Sequence, residues 1–257
     1  MATRPFGGNI KKNKKLNTVL DMAEEKKRRP RRTKASIIES INNAAIEQIK
    51  LNGFSNVLVT DIIKLAKIEP IVFYNHYENL EAFMSEFVKK YDYWFSDILK
   101  DIKHQATHKE TLNKIIQHLF QELNNDSIML ELLRWEVADN NNTTIRTAIL
   151  RETHILPLVK SYEDHFKEKG IDIAALTALI IGGLYYLSLH KDRSSFSGID
   201  INNQEGFKRI FNAIDFFVEK IYENDTIYNE RISIANKLKE AGISDNIIHQ
   251  CVWNNKS

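Results

Sequence analysis

The side chains best suited to chemistry in this 257-residue chain stand in four places. The string Lys26-Lys27-Arg28-Arg29-Pro30-Arg31-Arg32-Thr33-Lys34 can neutralise phosphates and release their counterions. Asp97, Asp101, His104 and His108 recur at steps of four, three and four, so one helical face carries two carboxylates and two imidazoles. A divalent cation is one reading of that face. A solvated surface is the preferred one, and no metal or other cofactor is expected. Arg134-Trp135-Glu136 sets a charged pair around an indole inside an apolar run, where buried charges need partners. With Tyr93, Trp94, His154 and Tyr185 it forms the candidate wall of a small-molecule cleft. The fourth place is Cys251, the single cysteine, which excludes a disulfide framework. The chain has no Gly-x-Ser-x-Gly, phosphate-binding glycine loop or Gly-x-Gly-x-x-Gly, so no catalytic residue is assigned and an enzyme is not expected.

Elements able to hold these groups are helical. Nine Gly and four Pro are too few for a fold that turns every dozen residues, and the apolar periodicity is that of helices. The net charge of +2 hides a division. Residues 1–34 carry 12 Lys and Arg against 3 Asp and Glu, a balance of +9, while the rest carries 24 against 31, a balance of −7. A basic, largely disordered arm (1–34) on an acidic body suits a nucleic-acid partner. No apolar run in 1–34 could serve as a signal peptide, which with the lone cysteine suits a cytoplasmic address.

From Ala35 an apolar stripe of Ile37, Ile38, Ile41, Ala44, Ala45 and Ile49 predicts a first helix, stopped by Asn52-Gly53. Thr60 is a candidate N-cap for a second helix with Ile62, Ile63 and Ala66 inward. Pro70 suits the first turn of a third, and Asn79 caps a fourth expected to reach Leu99. Three short helices with a tight turn between the second and third are the parts of a helix-turn-helix. Val59-Thr60-Asp61-Ile62-Ile63-Lys64-Leu65-Ala66-Lys67-Ile68, followed by Phe73-Tyr74-Asn75-His76-Tyr77-Glu78-Asn79, resembles the DNA-binding domain of TetR/AcrR-type bacterial regulators. That resemblance covers about residues 36–84. It implies that Thr60, Tyr74 and His76 contact the DNA backbone, and that Glu69, Pro70, Ile71 and Asn75 face base edges. Arg28, Arg29, Arg31 and Arg32 would reach a flanking groove, as homeodomain arms do. Leu80 stands where such proteins commonly offer a lysine. Residues 35–84 hold three Lys against six Asp and Glu, a balance of −3 that the arm must outweigh.

Further helices are expected over 109–124, 127–138, 144–169, 172–190 and 203–223, with Pro157 kinking or splitting the third. Ile173 to Leu189 is seventeen uncharged residues, read as a helix buried on nearly all sides rather than a membrane span. It and the following helix, rich in Phe and Ile, would pair with their copies across a two-fold axis. Beyond Asn224 a small helical hairpin is expected. The sequence thus describes an all-α chain: a basic arm (1–34), a helix-turn-helix domain (35–84), a larger helical ligand-binding and dimerisation domain (85–223) and a hairpin tail (224–257). The resemblance implies a homodimeric repressor of a double-stranded DNA operator, released by a small molecule of unknown identity. A helical sensor or scaffold that acts through protein partners without sequence-specific DNA binding is the alternative.

Overall fold

The computed structural model describes residue 1 and residues 32–102 and 107–253. The described residues form eleven α-helices and two 3-10 turns, with no strand among them. The helices are α1 (Lys34–Asn52), α2 (Val59–Ala66), α3 (Pro70–Tyr74), α4 (Leu80–Val88), α5 (Trp94–Asp101) and α6 (His108–Asn125). They continue with α7 (Ser127–Ala138), α8 (Asn142–Phe166), α9 (Ile173–His190), α10 (Gln204–Glu240) and α11 (Asp245–Val252). The chain divides into two units, Met1–Ile38 and Glu39–Ser257, with the boundary inside α1. In the first unit, Thr33 opens α1: its hydroxyl accepts from the Ser36 N–H at 3.2 Å and its carbonyl from the Ile37 N–H at 3.0 Å. Arg28, Arg29 and Arg31 lie outside the described residues, and Arg32 is exposed.

In the second unit, Ile41, Ala44, Ala45 and Ile49 of α1 are buried at three- and four-residue steps, as the stripe predicts. Gly53 follows at φ 72°, ψ 167°. A glycine stop after a helix suits positive φ, but ψ places this one in an extended, glycine-only region rather than the left-handed helical one. Phe54 and Val57 then turn inward, and α2 begins at Val59. Thr60 is therefore not the N-cap. Leu58 holds that position with extended backbone and no side-chain cap, because burial of Val57 fixes where the chain enters the helix.

The helix expected to run from Asn79 to Leu99 is interrupted. Asn79 caps α4, accepting from the Ala82 N–H at 2.8 Å. A 3-10 turn over Lys89–Tyr91 then separates α4 from α5. The cause is tertiary: the break turns the Asp92 carboxylate, 8% exposed, onto the Arg146 guanidinium of α8 at 2.7 Å.

Five longer helices are capped by residues that their own sequence supplies. Thr107, Asp126, Asn141, Asp172 and Asn203 each accept first-turn backbone N–H groups, satisfying donors that the helix leaves over. Asn141 and Thr144 form a reciprocal capping box. Helix α6 is central: it packs on α5, α7, α9 and α10, and buries Leu112, Ile115, Ile116, Leu119, Phe120 and Leu123. Helix α8 passes through Pro157 as one helix and is not split. Helix α10 does not end near residue 223 but runs 37 residues to Glu240.

The apolar α9 departs most from expectation. It is long and apolar enough to cross a membrane by length and composition, yet only Ile173, Leu184 and Ser188 are buried in the chain. Leu179 is 76% exposed, and a Cβ added at Gly182 or Gly183 would meet nothing within 4 Å. Burial on nearly all sides is thus corrected: within one chain, one face of this helix has no cover.

Candidate nucleic-acid interface and ligand-binding body

The turn between α2 and α3 is closed by Lys67 at φ 54°, ψ 50°, left-handed, with the Ile68 N–H reaching back to the Ile63 carbonyl at 3.2 Å. Glu69 enters in extended backbone, and Pro70 takes the first turn of α3, where its missing N–H costs nothing. The short α3 is held from one side. Phe73 is fully buried, with ring centroids 5.7 Å from Phe83 and 5.4 Å from Tyr77. Burial and the nearby Glu86 raise the Tyr77 phenol above its usual range.

With Phe73 pinned, the opposite face of α3 points to solvent. Ile71 is 65% exposed and Tyr74 50% exposed, and Thr60, Glu69, Pro70 and Asn75 are exposed beside them. His76 is half-buried. All seven positions assigned to DNA by resemblance therefore lie on the surface of α2, α3 and the turn after it. The arrangement offers one carboxylate, one amide, a phenol, an imidazole and an apolar knob. Its own charge is unfavourable for phosphates.

The helix-turn-helix is tied to the body at two points that the sequence did not disclose. Phe54, just after α1, stacks on Trp135 of α7 with centroids 5.0 Å apart and planes 5° apart. One oxygen of Asp139 accepts from both the Ser55 hydroxyl at 2.8 Å and the Trp135 indole N–H at 2.6 Å. On the other side, Arg146 donates to Asp92 and, at 3.2 Å, to the Ser85 carbonyl of α4. The Asp92 carbonyl also meets His154 Nδ1 at 3.0 Å, and His154 stacks on Tyr93.

These contacts redistribute the expected ligand wall. Arg134 pairs with Glu131 and with Asp192 at 2.8 Å, and donates to the Leu189 carbonyl at 3.2 Å. Glu136 pairs with Arg151 and accepts from the Thr147 hydroxyl at 2.7 Å. Trp135 is taken up by its stack on Phe54. Tyr185 lies close to the Arg151–Glu136 pair, and burial pushes its phenol up. Trp94 packs on the body core. None of the seven borders the described cavities. A narrow cavity of about 50 Å³ instead lies between α5, α6, α8 and α9, bounded by side chains such as Phe95, Leu112, Ile115, Ile155, Tyr162 and Thr177. Apart from the Thr177 and Tyr162 hydroxyls its lining is apolar. The Tyr162 hydroxyl donates to the His108 carbonyl at 3.2 Å, and burial raises that phenol to about 12. Its walls are ordinary inward positions of amphipathic helices, so no local signal separates them from core.

Asp97 pairs with Lys100, and His108 lies against Tyr162 and His165. His104 lies outside the described residues. Among the described residues no group of three His, Cys, Asp or Glu is arranged to hold a metal ion.

A three-helix helix-turn-helix followed by a larger helical body is the architecture of TetR-type transcriptional regulators, and the chain has that fold. Among solved structures it is similar to FadR of Bacillus subtilis in complex with stearoyl-CoA (TM-score 0.54, 20% identity, covering 70% of this chain and 96% of that one). It is also similar to a TetR/AcrR-type regulator of Aquifex aeolicus (TM-score 0.51, 19% identity, 72% and 99% covered). A third is a TetR-family regulator of Marinobacter aquaeolei (TM-score 0.51, 18% identity, 70% and 95% covered). At these identities the likeness is one of fold. No family model and no curated protein sequence matches the chain.

Proposed function

We propose that the protein is a cytoplasmic DNA-binding transcriptional regulator, a homodimeric repressor that a small apolar ligand releases from its operator. The observation that carries this reading is α3: buried through Phe73, it presents Glu69, Pro70, Ile71, Tyr74 and Asn75 outward from a left-handed turn. Asn75 would pair with an adenine edge, Glu69 would accept from a cytosine amino group and Ile71 would meet a thymine methyl. Tyr74, His76 and Thr60 would take phosphates and fix the register. The basic arm supplies the affinity that residues 35–84 lack.

Two such heads need two chains. Helices α9 and α10 leave an open apolar groove of about 810 Å³, bordered by Leu176, Leu179, Gly183, Leu184, Ile214 and Phe217. Pairing this face with its copy across a two-fold axis would cover it as a four-helix interface.

The internal cavity is smaller than a drug-sized ligand needs, so a ligand must part α5, α6, α8 and α9 to enter. A body that binds ligand only when widened shifts the population toward that state. The shift reaches the heads through Arg146 on α8, which holds both Asp92 and α4.

The test is binding of the full-length protein to DNA flanking its own coding region, near physiological salt and with non-specific competitor. A competitor-resistant complex with Kd on the order of 10⁻⁸ M is expected. Tyr74→Phe with His76→Ala should weaken it at least tenfold while the dimer persists. A dimer that binds no such DNA specifically, or a variant of unchanged affinity, would overturn the assignment.

A further inference from the structure

We infer that the ligand of the body is a neutral carbonyl compound with an aliphatic tail, an ester or a ketone, whose oxygen is held by Arg151 and Tyr185 just beyond one end of the internal cavity. The inference deepens the ligand-binding reading proposed above and rests on it. Helices α8 and α9 pack together, and both line the cavity. Along their seam, the lining runs from Tyr162 and Ile173 to Ile155 and Ile181. One helical turn beyond Ile155 on α8 is Arg151, and one turn beyond Ile181 on α9 is Tyr185. These two lie close together, and Glu136 reaches them from α7. An apolar seam thus ends in a polar group of three side chains. From Tyr162 to Arg151 it spans eleven residues, or about 16 Å, room for a medium-length alkyl chain once the helices part.

The charges at that end cancel. Arg151 and Glu136 form an ion pair whose side chains are only 11% and 9% exposed. Both Glu136 oxygens are engaged, one by Arg151 and the other by the Thr147 hydroxyl at 2.7 Å. Among the described residues Arg151 meets no acceptor but Glu136, although its planar fork carries five N–H groups. The Tyr185 hydroxyl meets no acceptor among them either, and burial keeps it protonated, hence a donor. The site has donors to spare and no acceptor. A buried pair adds little stability over apolar side chains of similar volume, so packing alone does not account for it.

This balance selects the head of the ligand. A carboxylate would bring an unmatched negative charge out of water beside Glu136 and near Glu152. An ammonium would face Arg151 with no acceptor left for its protons. An alcohol would accept a hydrogen bond but leave its own O–H unpaired. A carbonyl oxygen accepts two hydrogen bonds, and an ester or ketone adds neither charge nor donor. The apolar walls beyond it suit the tail.

Tryptophan fluorescence titration of the full-length protein provides the test, with methyl decanoate, decanoate, decylamine and decanol as probes at neutral pH. Trp94, packed on the body core, reports entry. We expect methyl decanoate to bind at least tenfold more tightly than the other three. Tyr185→Phe should weaken that binding about fivefold with an unchanged melting temperature. Glu136→Gln removes the charge that balances Arg151 and should reverse the order, so that decanoate binds more tightly than its ester. If Glu136→Gln melts early, Glu136→Leu with Arg151→Met replaces it and should bind methyl decanoate no better than decanol. A wild type that binds acid or amine as tightly as ester, an unchanged order in the Glu136 variants, or unchanged affinity in Tyr185→Phe overturns the head assignment and leaves a body that binds apolar ligands. A folded wild type that binds none of the four probes overturns the ligand-binding reading and this inference together.

Discussion

Arg146 shows how much one side chain carries here. Its two terminal nitrogens reach different parts of the chain, the Asp92 carboxylate and the Ser85 carbonyl, and so hold α8 against the segment from α4 to α5. Asp92 is nearly enclosed, and its other oxygen has no hydrogen-bond partner among the described residues. Removing the guanidinium would leave a buried carboxylate unpaired, whereas removing both charges would not. Arg146→Met is therefore expected to lower stability by about 2 kcal/mol, less than for a fully enclosed pair because the arginine keeps about a third of its exposure. Asp92→Asn combined with Arg146→Met should recover at least half of that loss. Urea unfolding of the three variants checks it, and equal losses in the single and double variants would refute the pairing argument. Nothing in the sequence marks either residue, since nothing local distinguishes Asp92 from the exposed acids around it.

Among the elements, the link from α1 into the 3-10 turn at Phe54–Asn56 depends on one backbone conformation. Gly53 sits at φ 72°, ψ 167°, which a side chain strongly resists, and a Cβ there would stand 3.3 Å from Glu131 Oε2 on α7. Gly53→Ala should cost about 2–3 kcal/mol, seen as a lower urea midpoint at unchanged slope. A loss below 0.5 kcal/mol, on the order of an ordinary surface change, would show that the link has another way to turn. The same segment carries Phe54 onto Trp135, so the strain also bears on how the head is held. Most helices are legible in the sequence because their caps and apolar periods are local. Ser127–Ala138 matches its expected span to the residue, and the others mostly within a few. The break after α4 and the end of α10 are not legible in this way. One depends on a distant arginine, and the other on the absence of a stop signal before Gly242.

For the whole molecule, the proposed function requires an acidic helix-turn-helix to hold an acidic polymer. Residues 35–84 balance at −3 and the arm at +9, so the salt dependence of DNA binding should report chiefly on the arm. Replacing Arg28, Arg29, Arg31 and Arg32 by Ala is expected to weaken binding to every sequence. It should also reduce the slope of log K against log salt by about 2–4, at up to about 0.9 for each phosphate no longer neutralised. An unchanged slope, measured by fluorescence anisotropy between low and physiological salt, would remove the arm from the interface.

By itself the sequence determined the all-helical class, most helix positions, the helix-turn-helix and the division of charge. Each of these rests on residues within a few turns of one another. Only the tertiary structure decided which partners the aromatic and charged groups meet within the chain. Trp135 reads like a pocket wall until Phe54, some eighty residues earlier, lies flat against it. Ile173 to Leu189 reads like a buried core helix until the fold leaves one face of it without cover within the chain. Apolarity fixes that a surface must be covered; only the packing of the whole chain fixes which surfaces it covers from its own residues.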